Sequence, residues 1–169
     1  MPVSRIISAG QTGVEYAALY EADARSLPLG GRCFSRDIFD KFDGPLSQLT
    51  FLSNTDHMRL GKRIAQTVEW NTQHSDAILI LFAYGGVGCS PMTILAQEHA
   101  QQAGKPAAIV DIGTYRSLDD TAEWLTSFRA GLSLYITGPT EREQPGIYQA
   151  ARYFIGDVFN SASVAISRH

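Results

Sequence analysis

Three glycine-bearing stretches concentrate the residue types that could do chemistry in this chain: Ser8-Ala-Gly-Gln-Thr-Gly13, Tyr84-Gly-Gly-Val-Gly-Cys-Ser-Pro-Met-Thr93 and Thr137-Gly-Pro-Thr-Glu-Arg-Glu-Gln-Pro-Gly146. Each follows an apolar, strand-like run and opens into a helical pattern. Glycine lets backbone N–H groups approach a ligand closely, and a helix N-terminus adds partial positive charge. The chemistry expected is therefore the holding of an anionic or nucleotide-type small molecule. In the first stretch the candidates are Gly10, Gln11, Thr12 and Gly13, where the Gln-Thr pair adds side-chain donors. In the second they are Gly85, Gly86 and Gly88, whose positive φ angles would suit an anion-holding nest. In the third they are Gly138, Pro139, Thr140, Glu141 and Arg142, with Arg142 the best cation.

The same residues bound the chemistry from the other side. The first stretch lacks the Gly-Lys-Ser/Thr ending of a nucleoside triphosphate loop and the GxGxxG spacing of a dinucleotide site. His57, His74, His99 and His169 show no metal-ligand spacing, so no metal site is expected, and His99 reads as a packed helix residue. Cys33 and Cys89 lie in glycine-containing loops and read as unreactive thiols. Asp76 reads as a turn residue at the start of a strand, and Trp70 as core. No catalytic residue is assigned.

These loops need a scaffold that brings them to one edge. Strand-like runs are predicted over 3–8, 77–82, 107–112 and 132–136, with 77–82 and 107–112 apolar enough to be buried on both faces. Helical spacing follows each: Val14, Ala17, Ala18 and Ala22; Met92, Leu95, Ala96 and Ala100; Ala122, Leu125 and Phe128; and Ile147, Ala151, Phe154, Ile155 and Val158. A further helix over 56–70 precedes the second strand. Residues 32–54 show no sustained period and read as a long loop. Alternating strands and helices predict an α/β fold, a single-domain, doubly wound, mostly parallel sheet with the three loops at its carboxyl edge. The domain is placed at 1–160 and a flexible tail at 161–169.

Composition agrees with a soluble globular domain: 44% hydrophobic, 18% charged and a net charge of −3. That charge gives no basis for nucleic-acid binding. No segment reaches the ~20 apolar residues of a membrane span. With two cysteines and no signal-peptide pattern, a cytoplasmic location is expected.

The motifs also carry a resemblance. Ile7-Ser-Ala-Gly-Gln-Thr-Gly-Val-Glu-Tyr-Ala-Ala-Leu19 resembles the opening of the molybdenum carrier proteins, a family of Rossmann-like proteins related to the LOG phosphoribohydrolases. Gly30-Gly-Arg-Cys33, Asp43-Gly-Pro45, Thr67-Val-Glu-Trp-Asn71, Ser75–Ile80, Lys105-Pro106 and Thr137–Ile147 extend the likeness over nearly the whole chain. It implies a Rossmann-like, LOG-related fold and a carrier of molybdenum cofactor, with a phosphate cradled at residues 10–13, a second wall at residues 85–88 and a third at residues 138–142. It further implies a homo-oligomer and a molybdoenzyme as recipient. Two departures matter. The family's Asp-Arg pair is Glu15-Tyr16 here, which removes a cation, and the Gly-Gly-x-Gly-Thr-x-x-Glu motif of the LOG enzymes lacks both its Thr and its Glu at Cys89 and Met92. The resemblance thus favours holding a ligand over cleaving one. The alternatives are a LOG-like nucleotide phosphoribohydrolase and a nucleotide-ligand sensor domain.

Overall fold

Ala77–Phe82 has no polar position, and a six-residue run of that kind is buried only if both faces of its strand are covered. A computed structural model of the chain, which describes residues 1–33, 50–51, 60–85 and 90–166, places this run inside a three-layer α/β domain. In chain order the elements are β1 Val3–Ile7, α1 Val14–Asp23, β2 Leu29–Gly30, β3 Arg32–Cys33, β4 Thr50–Phe51, α2 Leu60–Gln73, β5 Ala77–Phe82, α3 Pro91–Gln102, β6 Ala107–Asp111, α4 Ser117–Thr126, β7 Leu132–Thr137 and α5 Ile147–Ile166. Five parallel strands form the main sheet in the order β2-β1-β7-β5-β6, and β3 and β4 form a separate parallel pair.

The pleat sends alternate residues to the two faces. Ile6, Leu79, Leu81, Leu134 and Ile136 pack under α1, α4 and α5, while Ile7, Ile78, Ile80 and Tyr135 pack under α2 and α3. Ala17, Ala18 and Ala22 keep the α1 face flat, which lets α1 lie close against α5. At the opposite end of the sheet Lys105 donates through Nζ to the carbonyls of Thr72, Gln73 and Ser75, capping α2 with a cation where its dipole is negative.

The strand order is that of a nucleotide-binding α/β sheet with its chain rearranged. If β7 and α5 were moved to the front of the chain, the strands would follow the order 3-2-1-4-5. The last strand of this chain therefore stands where such folds place their first.

Three sequence expectations are corrected. β6, expected to be buried on both faces, is an edge strand with Ala107 and Ile109 exposed, because nothing pairs on its far side among the described residues. Trp70 is not core: its ring stacks on His74 at 3.7 Å with the Arg32 guanidinium above it. The flexible tail expected from residue 161 is not what is found through Ile166, since α5 continues unbroken and buries Ala162. The middle of the loop expected over 32–54 lies outside the described residues, but its ends pair as β3 and β4.

Candidate functional site

Open α/β sheets bind ligands where neighbouring strands send their crossovers in opposite directions. Here β1 leads away to β2 and β5 leads away to β6, so the crevice lies over the carboxyl end of β7, between the loops that follow β1, β7 and β5. The described parts of the three glycine-bearing loops meet there.

In the first loop Gly10 and Gly13 adopt positive φ, 68° and 83°. The use made of that freedom is internal. A side chain at Gly13 would clash with the Pro139 carbonyl and the backbone of Thr140 and Glu141, so this glycine lets the β1 and β7 loops touch backbone to backbone. The Val14 N–H donates to the Pro139 carbonyl at 3.3 Å, and Gly10 N–H donates to Ser8 Oγ at 3.0 Å. Gln11 N–H donates to the carboxylate of Glu15 at 3.0 Å. Thr12 is exposed, and its Oγ1 accepts from Glu141 N–H at 3.4 Å.

Glu15 is the residue the sequence reading missed at this loop. Its side chain turns back under the loop into the sheet, where Oε1 accepts from Thr137 Oγ1 at 2.8 Å and Tyr135 Oη at 3.2 Å. Burial pushes its pKa up to about 7, against the opposing pull of bonds from Gln11, Thr137 and Tyr135. Burial, together with the Glu15 charge, likewise raises the Cys33 thiol to about 12. An acid in a helix's first turn ordinarily signals only a favourable dipole contact. The distinguishing sign was its position directly behind a Gly-x-x-Gly turn, facing a strand that ends Tyr135-Ile-Thr137.

In the β7 loop a Cβ at Gly138 would run into the Leu81 carbonyl and the side chain of Val14, so Gly138 too serves close packing. Pro139 supplies the acceptor for Val14. Thr140 and Glu143 form a reciprocal pair, Thr140 N–H to Glu143 Oε2 at 2.9 Å and Glu143 N–H to Thr140 Oγ1 at 3.2 Å. Glu141 accepts from the N–H groups of Gly146 and Tyr148, so its carboxylate caps α5. Arg142 is exposed and makes no ion pair with a described residue. Gln144, not foreseen, ties this loop to the next: its amide both donates to the Ala83 carbonyl and accepts from Ala83 N–H.

The β5 loop is the most distinctive. Gly86, Gly88 and Cys89 lie outside the described residues. Tyr84 and Gly85 hold left-handed φ of 54° and 73°, and their N–H groups donate to Asp111 at 3.1 and 2.9 Å. Desolvation pulls the Asp111 carboxyl upward, but bonds from Gly85, Gly113 and Tyr84 together hold it below its usual range. Beyond the loop, Ser90 is the N-cap of α3 in an extended conformation, yet it makes no capping bond. Ser90 Oγ and Thr93 Oγ1 are fully buried and have no hydrogen-bond partner among the described residues. A buried hydroxyl without a partner costs ~1–3 kcal/mol. The first N–H of α1 goes to the Pro139 carbonyl and the start of α5 to the Glu141 carboxylate, whereas the end of α3 carries two hydroxyls without a partner among the described residues.

Two comparisons bear on this arrangement. A model of the "Circularly permutated YpsA SLOG family" matches residues 6–159. A crystal structure described as that of a "Putative molybdenum carrier protein" from Syntrophus aciditrophicus SB is 26% identical, covers 95% of each chain and superposes with a TM-score of 0.69. No curated protein matches. No described helix is long and apolar enough to cross a membrane, and no cluster of metal-ligating side chains occurs among the described residues. With that family model spanning most of its length and a sheet whose last strand occupies the first position, the chain belongs to the circularly permutated YpsA SLOG family.

Proposed function

We propose that the protein is a non-catalytic carrier that holds a phosphorylated small molecule, molybdenum cofactor or a related pterin or nucleotide, at the carboxyl edge of its sheet. The observation that carries this reading is the pair of orphaned hydroxyls, Ser90 and Thr93, at the N-terminus of α3. A phosphate oxygen there would accept from both and would lie in the favourable field of the helix end. Thr12, Gly85 and Arg142 would form the outer wall; Gly86 and Gly88, expected from the sequence to contribute, lie outside the described residues. Gly10, Gly13 and Gly138 support the site by packing its loops, and so do Gln11, Pro139, Thr140 and Glu141 through their backbone contacts. The residues thus fit the phosphate end of molybdopterin; its dithiolene would supply the metal's ligands, and the protein's part is to bind and shield.

The carrier reading is favoured over a LOG-like hydrolase by Glu15. A pKa of about 7 would suit a general acid, but the carboxyl is fully buried, and both oxygens are engaged by Gln11, Thr137 and Tyr135. With two cysteines and no membrane-spanning helix among its described residues, such a carrier would work in the cytoplasm, as a homo-oligomer passing its cargo to a molybdoenzyme. Calorimetric titration with a phosphorylated pterin and with nucleoside monophosphates tests the reading. Saturable binding, weakened at least tenfold by the double substitution Ser90→Ala and Thr93→Val, is expected. Absence of saturable binding would overturn it, and release of free base from a monophosphate would replace the carrier by the hydrolase.

A further inference from the structure

Tyr84 combines two features that a folded chain normally avoids. Its backbone is left-handed at φ 54°, which L-residues with bulky side chains rarely adopt, and its ring is 89% exposed. Neither is incidental to the loop. Asp111 fixes the conformation by accepting from the N–H groups of Tyr84, Gly85 and, at 2.9 Å, Gly113. The Tyr84 ring lies over Gly113, where a Cβ would come within 3.3 Å of both the ring's Cε1 and Asp111 Oδ1. The β5 and β6 loops are therefore stapled together so that an aromatic ring rests on backbone and presents itself to solvent. Tyr115, 92% exposed, follows two residues later at the lip of a groove of about 440 Å³ between β6 and α4, lined by Asp111, Thr114, Asp120 and Trp124. Strained, over-determined and exposed residues of this kind gather at ligand sites.

We infer that Tyr84 is a stacking platform for the flat heteroaromatic ring of the ligand, positioned by Asp111 and flanked by Tyr115. The inference rests on the carrier reading, in which Ser90 and Thr93, at the start of the helix that follows Tyr84 in the chain, take the phosphate end. Tyrosine suits the task since it offers a broad face with little rotamer freedom to lose. The platform recognises a planar ring with a phosphate attached, whether a pterin or a nucleobase.

Titration of the full chain with ribose 5-phosphate, guanosine monophosphate and 6-hydroxymethylpterin monophosphate separates the two ideas. At least one ring-bearing probe should bind tenfold or more tightly than ribose 5-phosphate. Tyr84→Ala should reduce that probe to the affinity of ribose 5-phosphate, and Tyr84→Phe should preserve its advantage. If the ring's advantage survives Tyr84→Ala, the platform is wrong and the phosphate carrier stands. If none of the three binds, both fall. A second readout needs no ligand. Tyr84→Gly removes the left-handed penalty and should melt no lower than the wild type. A lower melting temperature would assign Tyr84 to folding and overturn the platform.

Discussion

Replacing Glu15 by glutamine should flatten the protein's stability profile between mildly acidic and neutral pH. In the fold this carboxyl titrates at about 7, against an ordinary value of 4.5, because burial disfavours its charge more than its hydrogen bonds from Gln11, Thr137, Tyr135 and the Ala9 backbone favour it. Below pH 4.5 Glu15 is protonated in both folded and unfolded chains, and nothing is lost. Between 4.5 and 7 the unfolded chain releases the proton while the folded chain keeps it, so stability falls as pH rises, and it levels off above 7. At 1.36 kcal/mol per pKa unit, the penalty at pH 8 is ~3 kcal/mol. Tyr135 and Cys33, which face the same carboxyl, are both pushed upward and stay neutral in this window, so they do not mask it. Glutamine keeps the shape, and its amide oxygen can still accept from Gln11 N–H. Urea unfolding of wild type and Glu15→Gln at pH 4.5 and 8 isolates the effect, since other titrating groups cancel in the difference. The gap between the two proteins should move by ~3 kcal/mol in the variant's favour on going to pH 8, or ~1–3 M in urea midpoint. Parallel profiles, or a wild type that gains on the variant as pH rises, would refute the assignment of a buried, proton-holding carboxyl.

Gly138→Ala should lower stability by ~3 kcal/mol, because the new methyl meets the Leu81 carbonyl, which is backbone and cannot swing aside. Gly104→Ala is the control: φ is 64° but the space is open, so only the left-handed penalty of ~1–2 kcal/mol is expected in the same thermal melts. A Gly138 variant no worse than the control would show that the two loops do not pack as described. In a Cys89→Ser background the single remaining thiol, Cys33, should react with iodoacetamide at pH 8 slower than a free cysteine by ~3 orders of magnitude, since burial raises its pKa to about 12. Labelling monitored by mass spectrometry should become fast only in denaturant, and fast labelling of the native protein would contradict the buried position.

The scaffold was largely legible because its signals are local. The apolar run of β5, the helical spacing of α5 and the glycine punctuation of three junctions each arise within a dozen residues. What escaped was set by partners far apart in sequence. Glu15 looks like an ordinary first-turn acid until Tyr135 and Thr137, more than a hundred residues away, come to lie beneath it. Gln144 gives no sign that it will bracket Ala83. Nor does composition distinguish a central strand from an edge. Ala107-Ala-Ile-Val is as apolar as β5, and only Lys105-Pro106 hints at the edge that β6 forms. The sheet order was hidden for a related reason, since no local pattern announces that the last strand will be inserted between the first and the fifth.

The glycine loops also change meaning once the distant partners are in place. Read singly, each is an anion cradle. In the fold, Glu15 takes the Gln11 N–H, Glu141 takes those of Gly146 and Tyr148, and Asp111 takes those of Tyr84, Gly85 and Gly113. Hydrogen-bond acceptors are thus already supplied to all three loops by the chain itself, and Gly13 and Gly138 are small because neighbouring backbone fills the space. A ligand phosphate brought to the α1 or α5 end would have to displace the Pro139 carbonyl or the Glu141 carboxylate. At the α3 end it would instead satisfy two hydroxyls that have no other partner among the described residues. On the proposed reading, the energetic difference between those alternatives, rather than the number of glycines, would direct a ligand's anion to Ser90 and Thr93 and leave the Asp111-stapled turn free to present Tyr84.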